Sequence, residues 1–330
     1  MLKTVAVIFG GKSAEHEVSI ISGKSIAKNL NRKKFKVTEI FIDKKGGWFK
    51  NGKKQKAEEI LQNVDIAFPV LHGTYGEDGT IQGLFEMLNI PYVGCGVAQS
   101  VLGMDKEFSK IIWKEHSLPV VKFKSIKKPA WQKNKKQALK EVSHLKFPLF
   151  VKPANLGSSV GITKVKNKKD LEKAIEIAFR YGYKVIIEES VKDAREIEVS
   201  LLGNDDVTSS VCGEIIPANE FYDYDAKYNN PNSKAIIPAK IDKKTSSKIK
   251  KTAEDAYKAL NLHSLARADF LLSRKTGKFV ISEVNTMPGF TPISMFPKLW
   301  EATGLPYQKL LTKLIDIAEQ NFRQKSLWEI

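Results

Sequence analysis

The sequence predicts an α/β protein that starts with a parallel β-sheet and continues into two further units of strands and helices. Residues 1–103 alternate between short apolar runs and amphipathic stretches, which is the pattern of successive βαβ units. Farther along, apolar runs follow one another across short polar linkers, which is typical of antiparallel strands. With 330 residues, of which 42% are hydrophobic, the chain is long enough to bury a sizeable core in several domains.

The first predicted unit covers residues 1–103. Apolar runs predict strands at residues 4–9, 35–42 and 66–70. Gly10 and Gly11 turn the chain after the first strand, and a helix is expected over residues 17–30. A repeat of apolar residues at helical spacing predicts a second helix over residues 79–88.

The second predicted unit covers residues 104–191. It opens with a helix that ends before Pro119, and a basic stretch at residues 122–136 is expected to be a surface loop and the start of a helix. Two antiparallel strands, a helix and a buried strand then follow, at residues 148–152, 161–165, 171–178 and 185–188.

The third predicted unit covers residues 192–330. Its expected elements are two strands in a meander, a polar loop without periodicity, a helix, two more strands and a closing helix. In that order, they occupy residues 196–202, 207–213, 221–234, 249–260, 267–269, 283–285 and 307–321.

The formal net charge of +17 raises the question of nucleic-acid binding. The positive charge comes almost entirely from lysines, which lie in scattered clusters without the aromatic residues that would stack on bases. A solvated lysine-rich surface explains this pattern better, so we expect no nucleic-acid partner. No apolar run is long enough to cross a membrane, and we expect no membrane association. The two cysteines have no metal-like spacing, which favours reduced thiols in the cytoplasm.

Two short segments of the third unit carry the most informative side chains. Arg267 and Asp269 are two residues apart on a predicted strand and therefore share a face. Glu283 and Asn285 share a face in the same way, and a short glycine-containing linker joins the two strands as a hairpin. Carboxylate and amide oxygens on one surface suit Mg²⁺, which completes its shell with water and substrate phosphates. Gly289 follows in a Pro-Gly turn, where its N–H can face a developing oxyanion.

Two glycine-rich segments follow predicted strands, and each has two explanations. Residues 71–79 hold three glycines, and residues 155–161 form a Gly/Ser-rich loop between two strands. A plain turn explains either segment. Alternatively, the backbone of such loops approaches a ligand closely and binds phosphate oxygens. Lys152 and Lys106 are candidates to neutralise those phosphates, although an isolated lysine is usually a solvated surface residue.

The turn after the first strand resembles the tail of a P-loop. A Walker A motif is excluded, because its upstream glycine is replaced by Ala6. A plain strand–turn–helix junction explains the segment. The same position is nevertheless the carboxyl edge of a parallel strand, where α/β proteins bind ligands, so Glu15 is a candidate to hold a substrate ammonium.

Taken together, these segments resemble the ATP-grasp superfamily and, within it, the D-alanine–D-alanine ligases. The resemblance covers nearly the whole chain, with the motifs in the family's order. It rests on GGKSAEHEVS at residues 10–19, HG and GEDG within 72–79, MDK at 104–106, VKP and GSSVG within 151–161, YDYDAKY at 222–228, RAD at 267–269 and EVNTMPG at 283–289. It implies a three-domain ATP-grasp fold, with a Rossmann-like domain at residues 1–103 and two ATP-grasp subdomains at 104–191 and 192–330.

The resemblance also implies roles for individual residues. ATP contacts are implied for Lys106, Lys152, Ser159 and Lys227 at the phosphates, Glu188 and Val191 at the adenine, and Glu196 at the ribose. Ligation of two Mg²⁺ or Mn²⁺ ions is implied for Asp269, Glu283 and Asn285. Substrate contacts are implied for Glu15, His72, Arg267, Gly289 and Ser294. Catalytic roles are implied for Glu15, Ser158, Tyr228, Arg267 and Gly289.

In the implied scheme, Glu15 holds the ammonium of the first D-alanine, while Arg267 and Gly289 stabilise a tetrahedral oxyanion. Lys227 reaches the γ-phosphate from a mobile loop at residues 221–234, and Tyr228 closes the site with Glu15 and a hairpin-loop serine. The implied reaction joins two D-alanines through an acyl phosphate for peptidoglycan synthesis, in a cytoplasmic homodimer. Relatives that use D-lactate as second substrate carry Lys-His at the Lys227 pair, so Tyr228 favours the dipeptide over that alternative.

Overall fold

The structure of the protein is a computed structural model that describes residues 2–216 and 234–327. Three β-sheets organise these residues, and helices pack on each of them. The predicted α/β class with an N-terminal parallel sheet is therefore confirmed, whereas the boundaries of the three domains stay a prediction. None of the helices within the described ranges is long and apolar enough to span a membrane.

The N-terminal sheet is parallel at its centre. Its strands are β1 (Lys3–Gly10), β2 (Phe35–Ile42), β3 (Trp48–Lys50), β4 (Lys53–Gln55) and β5 (Ile66–Pro69), in the order β4-β3-β2-β1-β5. Strand β1 runs parallel to β2 and β5, whereas β3 and β4 add an antiparallel edge that was not predicted. Val5 and Val7 face one hydrophobic core, and Ala6 and Ile8 face another, so both sides of the sheet are covered. The accompanying helices are α1 (His16–Asn29), α2 (Ala57–Leu61) and α3 (Thr80–Met87).

The central sheet is antiparallel, and two helices lead into it: α4 (Val97–Met104) and α5 (Lys106–Glu115). Its strands are β6 (Phe123–Lys127), β7 (Leu149–Pro153), β8 (Thr163–Val165) and β9 (Lys184–Glu189), in the order β6-β9-β7-β8. The other helices of this unit are α6 (Lys128–Lys133), α7 (Lys135–Glu141) and α8 (Leu171–Ala178). Within residues 122–136 the predicted helix start is present, as α6 and α7, but the loop predicted before it was wrong. Strand β6 lies there, and as an edge strand that buries Ile126 and exposes its lysines it shows no apolar alternation.

The C-terminal sheet is also antiparallel. Its strands are β10 (Ala194–Gly203), β11 (Thr208–Ser209), β12 (Gly213–Ile216), β13 (Lys234–Ile236), β14 (Ser264–Ser273) and β15 (Phe279–Asn285), in the order β13-β12-β10-β14-β15 with β11 beside β10. The helices are α9 (Lys243–Ala259), α10 (Met295–Ala302), which was not predicted, and α11 (Tyr307–Lys325). Leu310 and Leu314 of α11 share a core with Val5 and Phe68, so the last helix joins the first sheet to the end of the chain.

Helix α5 buries a face that hydrophobic patterning does not predict. Its buried residues are Lys106, Ser109, Lys110 and Trp113. Phe108 and Ile111, by contrast, are 44% and 50% exposed. The predicted helix is present, but two of its lysines point into the protein, toward β9 of the central sheet and β15 of the C-terminal sheet.

Candidate active site

Strands β14 and β15 form the predicted hairpin, and their pairing sets the geometry of the candidate site. Asp269 pairs with Glu283 across the two strands. Arg267 pairs with Asn285 in the same register. These side chains therefore line one face of the sheet, as a period of two requires. The register shifts beyond Asp269 and Glu283, which leaves Ser282 as an extra residue in a β-bulge.

A third carboxylate, which was not predicted, lies on the neighbouring strand β10. Glu198 pairs with Asp269 across β10 and β14, and it is buried. Glu198, Asp269 and Glu283 thus form a row across three strands. Glu196 and Glu198 are two residues apart on β10 and therefore share a face, which was the signal available in the sequence. The register between β10 and β14 places Glu198, and not Glu196, beside Asp269.

Arg267 is held by two carboxylates. Its Nε and Nη2 atoms donate to the Oδ1 and Oδ2 atoms of Asp269 at 2.7 and 2.8 Å. The Nε atom is also 3.1 Å from Glu198 Oε2. Burial disfavours the charged guanidinium, but Asp269 and Glu198 raise the pKa of Arg267 well above its usual value. A permanently charged, oriented guanidinium therefore lies beside the predicted metal ligands.

Lys106 connects the predicted metal surface with the Gly/Ser-rich loop. Its Nζ atom donates to the carbonyl oxygen of Leu156 at 2.9 Å and is 3.3 Å from Glu283 Oε2. Lys106 is buried, although an isolated lysine is usually solvated. The structure therefore brings a predicted phosphate ligand and a predicted metal ligand together.

Glu188 is buried between two lysines. Lys152 Nζ is 2.7 Å from Glu188 Oε2, and Lys110 Nζ is 3.3 Å from Glu188 Oε1. Burial raises the pKa of Glu188, but the two ammonium groups outweigh burial and lower it. For Lys152, burial lowers the pKa and Glu188 outweighs burial, so the net shift is upward. Lys152 and Glu188 were predicted nucleotide contacts, and the structure adds Lys110 to them.

The Gly/Ser-rich loop meets Glu15 of the N-terminal unit. A Cβ added at Gly157 would lie 3.7 Å from Glu15 Oε2, and one added at Gly73 would lie 3.0 Å from the same oxygen. The Glu15 carboxylate therefore lies between two backbone segments from different sheets. Ser158 and Ser159 have φ angles of 53° and 59°, and such left-handed conformations of non-glycine residues concentrate at functional sites.

His72 is buried near Glu15 and contacts the segment that follows β15. Its Nδ1 atom lies 3.1 Å from the carbonyl oxygen of Met287 and 3.7 Å from Glu77 Oε1. Its Nε2 atom lies 3.2 Å from the hydroxyl of Ser22. Burial lowers the pKa of His72, but Glu77 and Glu15 outweigh burial and raise it. The structure thus places His72 beside Glu15, as predicted, and adds Glu77, which was not.

Gly289 and Ser294 also lie together. A Cβ added at Gly289 would lie 2.7 Å from Ser294 Oγ. This oxygen accepts the N–H of Thr291 at 3.0 Å and lies 2.8 Å from the Thr291 hydroxyl. The hydroxyl of Ser294 is therefore fixed against the backbone whose N–H was predicted to face an oxyanion.

The remaining predicted residues belong to the predicted adenine hinge and to the predicted loop at residues 221–234. Val191 follows β9, and Glu196 lies on β10, so both flank the connection between the central and C-terminal sheets. Adenine and ribose were predicted to bind there. Residues 221–233 of the predicted loop, which include Lys227 and Tyr228, lie outside the described residues.

The donor atoms of β14 and β15 suit a hard divalent cation. Asp269, Glu283 and Asn285 present carboxylate and amide oxygens, which Mg²⁺ prefers. Asn285 Oδ1 is oriented by the N–H of Met287 at 3.0 Å. Within residues 2–216 and 234–327, no three His, Cys, Asp or Glu side chains are grouped to hold a metal. An ion at this surface would therefore draw on the amide and on substrate oxygens as well as the carboxylates.

Known protein families match the sequence over most of its length. The family described as D-ala D-ala ligase C-terminus matches residues 112–316, and that described as D-ala D-ala ligase N-terminus matches residues 4–62 and 49–95. The chain is 48% identical over 336 residues to D-alanine–D-alanine ligase B of Clostridium tetani, covering 96% of this chain and 94% of the relative. It is 45% identical over 355 residues to the D-alanine–D-alanine ligase of Heliobacterium modesticaldum, covering 98% and 97%.

Solved structures resemble the fold closely. The VanG D-Ala:D-Ser ligase from Enterococcus faecalis superposes with a TM-score of 0.86 at 36% identity, covering 96% of this chain and 100% of that one. The D-alanine–D-alanine ligase from Coxiella burnetii superposes with a TM-score of 0.85 at 32% identity, covering 98% and 96%.

Proposed function

Because this chain belongs to the D-alanine–D-alanine ligase family, we propose that it uses ATP to join two molecules of D-alanine. The products are D-alanyl-D-alanine, ADP and phosphate, and the dipeptide serves peptidoglycan precursor synthesis. The observation that carries the proposal is the shared face of β14 and β15, where Asp269 pairs with Glu283 and Lys106 links Glu283 to the Gly/Ser-rich loop. This arrangement brings carboxylate and amide oxygens, a guanidinium and the Lys106 ammonium together, which supports the proposed binding of a metal and a nucleotide.

In the first step, a carboxylate oxygen of the first D-alanine attacks the γ-phosphorus of ATP, which forms an acyl phosphate and releases ADP. Glu15 would hold the ammonium of this D-alanine, because its carboxylate lies between Gly73 and Gly157. Lys106 and Lys152 would bind phosphate oxygens, and Lys106 also holds the loop above them through a backbone carbonyl. Phosphoryl transfer depends mainly on such positioning and charge.

Asp269, Glu283 and Asn285 would hold two Mg²⁺ or Mn²⁺ ions, which offset phosphate charge when they are bound. Arg267 orients Asp269 through both carboxylate oxygens. Lys106 restrains Glu283 in a similar way. These contacts would prearrange the proposed ligands on two paired strands.

In the second step, the amine of the second D-alanine attacks the acyl carbon, and the tetrahedral intermediate expels phosphate. Arg267 and the N–H of Gly289 would stabilise the oxyanion. Ser294 would bind the carboxylate of the second D-alanine beside Gly289. Tyr228, together with Glu15 and a loop serine, would close the site and exclude water from the acyl phosphate.

Phosphate release from ATP tests this function directly. We expect release to require both Mg²⁺ and D-alanine, and the dipeptide to appear in equal amount. Offering D-serine or D-lactate beside limiting D-alanine distinguishes the second substrate, since one structural relative is a D-Ala:D-Ser ligase. Release without D-alanine, or activity that survives Asp269→Ala with Glu283→Ala, would contradict the proposal.

We also propose that the enzyme is a homodimer that works in the cytoplasm. Val97 and Val101 lie one turn apart on α4 and are 39% and 40% exposed, so they offer an apolar contact for a second copy. Cys95 and Cys212 are buried free thiols, which suits a reducing compartment. Sedimentation should give twice the chain mass of 37.0 kDa, and a monomer at micromolar concentration would refute the dimer.

A further inference from the structure

We propose that Lys110 is a positioning residue, which fixes the β-bulge beside Glu283 and thereby holds the predicted metal ligand in register with the nucleotide hinge. The inference rests on the proposed function, since it assigns a task within the same site. It concerns a residue that neither the motif nor the hydrophobic pattern singles out.

Lys110 lies on α5 and is fully buried, with 0% of its side chain exposed. A charged group in such a place is costly unless it is paired and hydrogen-bonded. Because the side chain does not reach the surface, Lys110 acts through its protein neighbours.

Two neighbours hold the Lys110 ammonium, and they belong to different units. Lys110 donates to the carbonyl oxygen of Ser282 on β15. Its Nζ atom is also 3.3 Å from Glu188 Oε1 at the end of β9. One ammonium therefore connects the C-terminal sheet to the central sheet, at the point where the adenine is proposed to bind.

The Ser282 contact is significant because Ser282 is the bulged residue. A bulge leaves the extra residue outside the regular strand pairing, and it redirects the side chains beside it. The next residue is Glu283, which pairs with Asp269. Fixing the Ser282 carbonyl therefore fixes the direction in which the Glu283 carboxylate leaves the strand.

Helix α5 holds this strand at two consecutive residues. Lys106 and Lys110 are four residues apart and lie on one face of the helix. Lys106 contacts the side chain of Glu283, while Lys110 contacts the backbone of Ser282. Lys110 thus supplies the contact with the strand backbone in this two-point attachment. Its second contact, with Glu188, links the attachment to the central sheet.

Lys110→Met is the direct test, since methionine fills the space of the stem but removes the charge and the donors. Binding of Mn²⁺ is measured by electron paramagnetic resonance in the presence of saturating, non-hydrolysable ATP analogue. Loss of an outer partner of a metal ligand weakens metal affinity by about 10- to 100-fold, so we expect a fall of at least about tenfold. KM for ATP and kcat are measured in parallel, and kcat should fall at saturating ATP.

Lys114→Met is the matched control, because Lys114 lies one turn farther along α5 and is exposed. It should bind Mn²⁺ like the wild type. Lys110→Arg, which keeps a charged donor, should recover part of the lost affinity. A purely structural role would lower the melting temperature without changing the Mn²⁺ affinity of the folded protein.

Wild-type Mn²⁺ affinity in folded Lys110→Met would overturn the inference. If Lys110→Met does not fold, Lys110→Gln carries the same test with a neutral donor. If neither variant folds, Lys110 serves folding, and the inference is equally overturned. The proposed function fails separately, if the wild type shows no phosphate release that depends on D-alanine.

Discussion

Replacing Gly289 by alanine tests the proposed second-substrate site with one methyl group. The φ angle of Gly289 lies outside the left-handed region, so alanine brings no backbone strain there. The added Cβ would lie 2.7 Å from Ser294 Oγ, which is too close for carbon and oxygen. The Ser294 hydroxyl must therefore turn away, while the N–H of residue 289 is retained.

The size of the effect follows from the contacts that the hydroxyl loses. Ser294 Oγ lies 3.0 Å from the N–H and 2.8 Å from the hydroxyl of Thr291. Each hydrogen bond contributes about 1 kcal/mol net, so turning the hydroxyl costs about 2 kcal/mol. If that cost falls on the bound second D-alanine, kcat/KM for this substrate drops by about 30-fold.

The assay is phosphate release at saturating ATP, with D-alanine varied in the range where its second site fills. A double-mutant cycle isolates the cause. In a Ser294→Ala background, the offending oxygen is gone and the neighbouring Cβ is 3.6 Å away, an ordinary contact distance. Gly289→Ala should then add little further loss, and the coupling energy should be about 2 kcal/mol.

An equal loss from Gly289→Ala in both backgrounds would refute this reasoning. It would mean that the methyl group hinders the substrate itself, without acting through Ser294. A loss of folding free energy as large as the loss of free energy in kcat/KM would also refute it, because the cost would then fall on the fold and not on the bound substrate.

Three further predictions address charge, pH and packing. Arg267→Lys keeps the charge but not the bidentate hydrogen bond, and kcat should fall by about 100- to 1,000-fold; a change below about tenfold would contradict the oxyanion role. The raised pKa of His72 means that its charged form stabilises the fold fully below about pH 6.5 and that this contribution is lost as pH rises through the folded-state pKa. Urea unfolding at a series of pH values should therefore show the advantage of the wild type over His72→Gln shrinking as pH rises, and a constant difference would argue against a charged His72. Gly76→Ala would place Cβ 1.6 Å from a backbone oxygen and should abolish soluble expression, whereas Gly83→Ala meets no atom within 4 Å on helix α3 and should raise stability by about 0.5–1 kcal/mol in thermal melts.

The core of the candidate site could be predicted because it depends on local periodicity. Arg267, Asp269, Glu283 and Asn285 lie on one face through the two-residue repeat of a strand, and a short linker brings their strands together. Both rules act over fewer than about 20 residues, so they can be applied to a sequence without knowing the rest of the fold.

The parts that could not be predicted depend on contacts between distant segments. Glu198 reaches Asp269 because of the register between β10 and β14, although about 70 residues separate Glu198 from Asp269 in the chain. Helix α5 shows a stronger conflict. Its apolar pattern favours the burial of Phe108 and Ile111. The fold instead buries Lys110, because a carboxylate on β9 and a backbone carbonyl on β15 pair with its ammonium group. Strand β6 was overlooked for a related reason, since an edge strand has little need of apolar residues.

The ion pairs of the candidate site have a thermodynamic consequence for how its ligands bind. Lys106, proposed for phosphate, is paired with Glu283, and Arg267 is paired with Asp269, both proposed for metal. A phosphate alone must compete with carboxylates for these cations, and a metal ion alone must compete with the cations for the carboxylates. A metal–nucleotide complex supplies both charges at once, so each component should raise the affinity for the other by the same factor. With these proposed roles, the site would favour the complex over either part, so that free ATP and free Mg²⁺ would not occupy it unproductively.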